Sequence, residues 1–77
     1  MIPEYSTVRV TALRSVPEGE RLVIPSESHP CVGDEGAVVK NLSAGRVIVE
    51  KVLPDGTSAW LAEFEESELE VILRTQA

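Results

Sequence analysis

The stretch from Gly36 to Phe64, GAVVKNLSAGRVIVEKVLPDGTSAWLAEF, contains three apolar segments separated by two short turn sequences. Val, Ile and Leu dominate the segments, and such residues favour strands bounded by glycine- or proline-containing turns. We predict strands over residues 36–42, 46–53 and 57–64, with turns at Ser43–Gly45 and Pro54–Gly56. Turns this short join antiparallel neighbours, so the stretch predicts a three-stranded meander.

The residues on either side of this meander complete an all-β chain. Apolar and polar residues alternate from Thr7 to Leu13, which indicates a half-buried first strand. Prolines and glycines then make residues 14–34 a long loop, in which residues 21–24 are expected to pair briefly. We read residues 65–68 as a single 3₁₀ turn and residues 69–73 as a last strand that pairs with the first. The predicted fold is therefore a small five-stranded barrel, one domain over residues 1–77 with its core at about 5–73.

Two parts of this pattern resemble SH3-like barrels. Residues 32–39, VGDEGAVV, are similar to the glycine turn through which such barrels enter their second strand, and residues 47–72, VIVEKVLPDGTSAWLAEFEESELEVI, resemble the remaining strands and turns. The nearest resemblance in length is to a family of short bacterial proteins of unknown function. The glycine-turn entry and the ELEVI closure also look similar to the SH3-like subunit of photosystem I and to the variable chain of ferredoxin-thioredoxin reductase. Neither of these carries a redox centre, so the resemblance implies docking without a cofactor.

Charge and composition restrict the classes of partner. Thirteen acidic residues against seven basic ones give a net charge of −6, which disfavours nucleic-acid binding because that affinity comes largely from Lys and Arg. We expect no membrane span, since no apolar run approaches about 20 residues. The single cysteine requires no oxidising compartment, so we expect a cytoplasmic protein. A charged partner is expected to be a basic protein; the oligomeric state stays open.

His29 and Cys31 lie two positions apart in the predicted loop. They raise the possibilities of a metal pair and of a nucleophile with its base. A structural zinc site needs four ligands, and the neighbouring acids Asp34 and Glu35 would disfavour a thiolate. We therefore predict no metal site and no catalytic residue, and interpret this stretch as a loop anchored by a half-buried Cys31.

The C-terminal acids supply the candidate partner-binding residues. We assign this role to Trp60, Glu65, Glu66 and Glu68. The alternative for Trp60 is a core position, and for the acids a solvated rim. The predicted function is a non-catalytic protein-binding module or accessory subunit that uses this acidic surface and the long loop. Two alternatives remain: a ligand-binding or catalytic site formed only at an oligomer interface, and an inhibitor or antitoxin-like partner of a basic protein.

Overall fold

Five strands and one 3₁₀ turn form the regular structure of the computed structural model within the residues that it describes, 2–13, 21–23 and 28–72. The strands are β1 (Thr7–Val10), β2 (Glu35–Asn41), β3 (Arg46–Val52), β4 (Ser58–Glu65) and β5 (Leu69–Val71), and the 3₁₀ turn (Glu66–Glu68) precedes β5. All pair antiparallel in one sheet of order β4-β3-β2-β1-β5. The predictions of an all-β fold, of the 3₁₀ turn and of pairing between the last and first strands are confirmed.

The first strand is shorter than predicted. It ends at Val10 and does not continue to Leu13, because the next two N–H groups leave the ladder. Those of Thr11 and Ala12 both donate to the carbonyl oxygen of Glu68, at 2.8 and 3.3 Å. The chain after β1 is thus attached to the 3₁₀ turn.

The predicted closure into a barrel is not shown by the backbone ladders. β4 and β5 are the two outer strands of the sheet, and in the described part of the chain no ladder joins them. The brief pairing expected within residues 21–24 is present, because Leu22 forms an antiparallel bridge with Ala62 and the Val23 N–H donates to the Leu61 carbonyl at 2.8 Å. Residues 14–20 and 24–27 of the predicted loop lie outside the described residues.

The hydrophobic core forms on one face of the strands. Burial alternates along β1 and β3, as the apolar–polar alternation of their sequences requires. The buried apolar residues are Ile2, Val8, Val10, Val38, Val47, Val49, Ala59, Trp60, Ala62 and Phe64. Leu22 and Leu69 pack against this cluster, so the segment after the first strand and the last strand both contribute to the core.

β2 pairs with β1 along one edge and with β3 along the other. Its first residues pair with β1 and its later residues with β3, while Ala37 is registered with both Thr7 and Glu50. The register with β3 shifts between Val38 and Lys40, as in a β-bulge. Gly36 permits the close approach of β3, because a Cβ atom there would lie 2.6 Å from the Glu50 carbonyl oxygen.

Candidate docking surface

Trp60 is the first of the predicted partner-binding residues, and the structure places it in the core. Its side chain is 2% exposed and its ring packs against Phe64 at 5.7 Å between centroids. The indole Nε1–H donates to Asp34 Oδ2 at 3.3 Å. The core interpretation of Trp60 is therefore confirmed, and its ring offers no surface to a partner in this structure.

Glu68 is buried as well, with 1% of its side chain exposed. It forms a two-pronged ion pair with Arg21, whose Nη1 and Nη2 donate to Oε1 and Oε2 at 3.1 and 2.9 Å. Arg21 also donates to the Glu63 carbonyl at 3.1 Å, and its guanidinium lies 4.8 Å from the Phe64 ring centroid. Glu68 is thus neither a docking residue nor part of a solvated rim here, because it neutralises a buried cation.

Glu65 and Glu66, the other two predicted residues, remain half-buried at the surface. The Glu66 carboxylate accepts the Ile2 N–H at 2.6 Å, and its own N–H donates to the Gly45 carbonyl at 3.0 Å. The Glu65 N–H donates to Glu68 Oε1 at 3.1 Å. These contacts bring the 3₁₀ turn, the β2–β3 turn and the residues before β1 to one end of the molecule.

A tight turn of residues 3–6 adds an acid and an aromatic ring to this end. The Ser6 N–H donates to the Pro3 carbonyl at 3.2 Å, and Glu4 Oε2 accepts the Asn41 N–H at 3.4 Å. Tyr5 has a φ of +68° and is 77% exposed. We call Glu4, Tyr5, Glu65 and Glu66 the acidic end. Tyr5 was not predicted as a site residue; its one sequence signal is an aromatic residue placed just before the alternating pattern of the first strand.

Asp34 organises the loop that precedes β2. Its carboxylate accepts hydrogen bonds from the Cys31 N–H at 3.0 Å and from Lys51 Nζ at 3.2 Å, besides that from Trp60. Partial burial raises the pKa of Asp34, but the bonds from Cys31, Lys51 and Trp60 together outweigh this, so the pKa lies below its ordinary value. Asp34 therefore acts as a structural anchor for the loop that precedes β2.

His29 and Cys31 are both exposed in this loop, so the expectation of a half-buried cysteine is wrong. The loop is held instead by Asp34 and by the Gly33 N–H, which donates to the Val10 carbonyl at 2.8 Å. The Cys31 thiol donates to the His29 carbonyl oxygen at 3.7 Å. In the described part of the chain no three His, Cys, Asp or Glu side chains are placed to share a metal ion.

A shallow cleft of about 230 Å³ lies beside the first residues of β2. It is lined by Thr7, Glu35, Gly36, Ala37, Glu50 and Val52. Glu35 accepts from Arg9 at 3.1 Å and Glu50 accepts from the Ser58 hydroxyl at 2.8 Å. Both carboxylates thus have partners within the chain, and the cleft is an open depression on the sheet surface.

No family model, curated protein or solved structure matches this chain. Among residues 2–13, 21–23 and 28–72, no helix has the length and apolar character that crossing a bilayer requires.

Proposed function

We propose that this protein is a non-catalytic binding module or accessory subunit that docks a basic protein partner on its acidic end. The proposal extends to an SH3-like barrel and to a cytoplasmic location. The strand order supports the SH3-like barrel, because β5 pairs with β1 and a 3₁₀ turn precedes β5. The single cysteine supports the cytoplasmic location. The sequence resemblance to docking subunits points in the same direction.

The distribution of ion pairs carries the proposal. The described pairs join Arg9 to Glu35 and Glu70, Arg21 to Glu68, Arg46 to Glu63, and Lys51 to Asp34. No ion pair among the described residues includes Glu4 or Glu65. Among the described residues, the paired cations thus bind other acids, and the carboxylates of Glu4 and Glu65 accept backbone N–H groups, of Asn41 and Glu68 respectively, without an ion pair of their own.

Such an arrangement favours a basic partner, because complementary surface charge accelerates encounter and selects against acidic partners. The role of Glu65 and Glu66 predicted from the sequence is retained in this proposal, whereas Trp60 and Glu68 are buried and are not part of the proposed surface.

Affinity capture with a matched pair of variants tests this function. Glu4→Gln/Glu65→Gln removes two charges from the acidic end, and Glu50→Gln/Glu70→Gln removes two charges from the surface elsewhere. We expect a partner from the source organism's lysate to be retained by the wild type and the second variant and lost from the first. Its retention should weaken as salt rises from 50 to 300 mM, because the Debye length falls to about 8 Å or less above 0.15 M.

Capture that is equal for the two variants, or insensitive to salt, would contradict docking at the acidic end. The stoichiometry of a captured complex separates the accessory role from the inhibitor alternative. An inhibitor is expected to hold one enzyme tightly and suppress its activity, whereas an accessory subunit co-purifies with an assembly that stays active.

A further inference from the structure

β4 is the longer of the two outer strands of the sheet. It has eight residues, whereas β5, on the other side, has three. An outer strand presents backbone N–H and C=O groups with which another chain can pair, and a very short strand presents few of them. The sequence of β4, SAWLAEFE, also contains the aromatic residues Trp60 and Phe64, which favour strands. The outer edge of β4 is therefore where this sheet could add a further strand.

A short segment of the same chain covers part of this edge. Leu22 forms an antiparallel bridge with Ala62, and the Val23 N–H donates to the Leu61 carbonyl at 2.8 Å. Leu22 also packs against the hydrophobic core. The Leu61 carbonyl thus points away from β3, and the backbone groups of residues 63 and 65 point the same way, because this direction alternates along a strand.

The Arg21–Glu68 ion pair covers these next two positions. Arg21 Nη1 donates to the Glu63 carbonyl at 3.1 Å, and Glu68 Oε1 accepts the Glu65 N–H, also at 3.1 Å. An outward backbone group is therefore bonded on each of three alternate residues of β4, and the ion pair bonds two of the three. The two side chains make the hydrogen bonds that a neighbouring strand would otherwise make.

Stability alone does not explain an ion pair at this place. Arg21 and Glu68 are 4% and 1% exposed. The desolvation of charges this deeply buried offsets much of their attraction, so apolar residues of similar volume often stabilise a fold as well or better. Apolar side chains, however, could not bond the Glu63 carbonyl or the Glu65 N–H. The pair thus supplies hydrogen bonds to the β4 edge that a hydrophobic contact would leave unmade.

We propose that the outer edge of β4 is a latent pairing surface for a second copy of this chain, and that the Arg21–Glu68 ion pair keeps this surface occupied. While the pair is formed, the chain satisfies the edge by itself and no second strand is added. When the pair is removed, the edge becomes available and two copies associate through β4. This inference goes beyond the proposed docking function and does not depend on it.

The geometry of β4 fits a second copy. Two β4 strands related by a two-fold axis run antiparallel, which is the direction in which Leu22 already pairs at this edge. With Ala62 on the axis, Leu61 of each copy faces Glu63 of the other, so the backbone groups that are covered in the single chain bond each other across the axis. In this register no two carboxylates lie directly opposite, an arrangement that like charges would make unfavourable.

Removing both charges of the pair tests the inference. Arg21→Ala/Glu68→Ala leaves neither partner buried and unpaired, and it removes two hydrogen bonds to the β4 edge. We expect sedimentation equilibrium to give a dimer dissociation constant at least about tenfold below that of the wild type, as a gain of two backbone hydrogen bonds would give. In a mixture of isotope-labelled and unlabelled chains, filtered NOEs should connect Ala62 of one copy with Ala62 of the other, because residues facing each other in a non-hydrogen-bonded pair are close.

Arg9→Ala/Glu70→Ala is the matched control. It also removes one arginine and one glutamate that form an ion pair, but this pair lies on β1 and β5, away from β4. We expect the control to associate no more strongly than the wild type. Equal association of the control and the Arg21→Ala/Glu68→Ala variant would overturn the inference, since loss of charge alone would then be the cause.

Arg21→Met/Glu68→Met keeps most of the buried volume and decides the question if the alanine variant does not fold. We expect this variant to keep the wild-type amide spectrum in β1, β2 and β3 and to associate through β4 as well. Folded variants that associate no more than the wild type would overturn the inference, and so would NOEs between copies that lie outside β4. Unfolding of both variants would overturn it too, because the pair would then serve the fold and not its edge.

Discussion

The ion pair between Arg21 and Glu68 carries a large desolvation penalty, because both side chains are removed from water. A buried ion pair of this kind is retained only where geometry is good and further hydrogen bonds satisfy the remaining groups. Here the bidentate contact, the Glu63 carbonyl and the Phe64 ring together meet that requirement. The pair also joins the Arg21 segment to the 3₁₀ turn, two parts of the chain 47 residues apart.

Replacing Glu68 with glutamine should leave the Arg21 charge buried and unpaired. We expect Glu68→Gln to lower the free energy of unfolding by about 3–5 kcal/mol, as is typical for a broken buried pair. Urea denaturation followed by tryptophan fluorescence measures this, because Trp60 lies in the same core. Glu70→Gln is the control: its contact with Arg9 is 3.9 Å long and 58% of the Glu70 side chain is exposed, so its loss should be at most about 1 kcal/mol. Equal losses in the two variants would contradict a structural role for the buried pair.

Asp34 should make the stability of the protein depend on acid pH. Its pKa is lowered on folding because the bonds from Cys31, Lys51 and Trp60 outweigh partial burial. Its contribution is therefore fully present above the unfolded-state pKa and is lost as pH falls through the lower, folded-state pKa. Comparing wild type with Asp34→Asn by urea denaturation, we expect a clear difference at pH 7 that is smaller at about pH 2.5, below the unfolded-state pKa of about 3.9. A difference that stays constant between the two pH values would show that the charge of Asp34 is not what stabilises the loop.

At the scale of elements, β2 is the strand on which the architecture depends. Residues 35–37 of β2 pair with β1 and residues 37–41 pair with β3, so the strand changes partner next to Gly36. A strand that turns between two partners needs a position where the neighbouring backbone comes close, and only glycine has no Cβ there.

Gly36→Ala should therefore push β2 and β3 apart. The added Cβ would lie 2.6 Å from the Glu50 carbonyl oxygen and 2.8 Å from Val49 Cγ1, and the former is backbone that cannot rotate away. We expect a loss of about 1–3 kcal/mol in unfolding free energy, the usual range for overpacking. Ala37→Ser, one residue along the strand, should change stability by less than about 0.5 kcal/mol. Thermal unfolding of both variants checks this, and a Gly36→Ala variant as stable as the wild type would mean that the strands separate without cost.

The strands were predictable because their signals are local. Alternation over residues 46–52 and turn residues at 43–45 and 54–56 depend only on neighbours in the chain, and the structure follows them to within one or two residues. The end of β1 was not predictable, since Thr11 leaves the ladder for a carbonyl 57 residues away. The candidate site was likewise predictable only where its signals are local. A charge run placed Glu65 and Glu66 at the surface, but the burial of Glu68 depends on Arg21, and the exposure of Tyr5 depends on a turn that no local preference favours.

For the whole molecule, stability should differ between the two halves of the sheet. β3 and β4 are registered from Arg46–Glu65 to Val52–Ser58, whereas β1 and β5 are registered only from Val8–Val71 to Val10–Leu69. Short pairings open at lower free energy than long ones. We expect native-state hydrogen exchange to be slowest for amides of β3 and β4 and faster for those of β5. Equal protection across the sheet would instead indicate that every strand opens only on global unfolding.

The pairing of the first strand with the last has one more consequence, for how the chain can be rearranged covalently. In this antiparallel ladder Val8 faces Val71 and the Ile72 N–H donates to the Thr7 carbonyl at 2.9 Å, so the start of β1 and the end of β5 are neighbours in the sheet. A peptide linker between the segments that extend from these two points would join them covalently. The exposed Pro54–Gly56 turn offers a place to cut the chain outside every ladder. A circular permutant that begins at Asp55 should therefore retain the sheet and its buried ion pair, and it would present the acidic end on an uninterrupted chain.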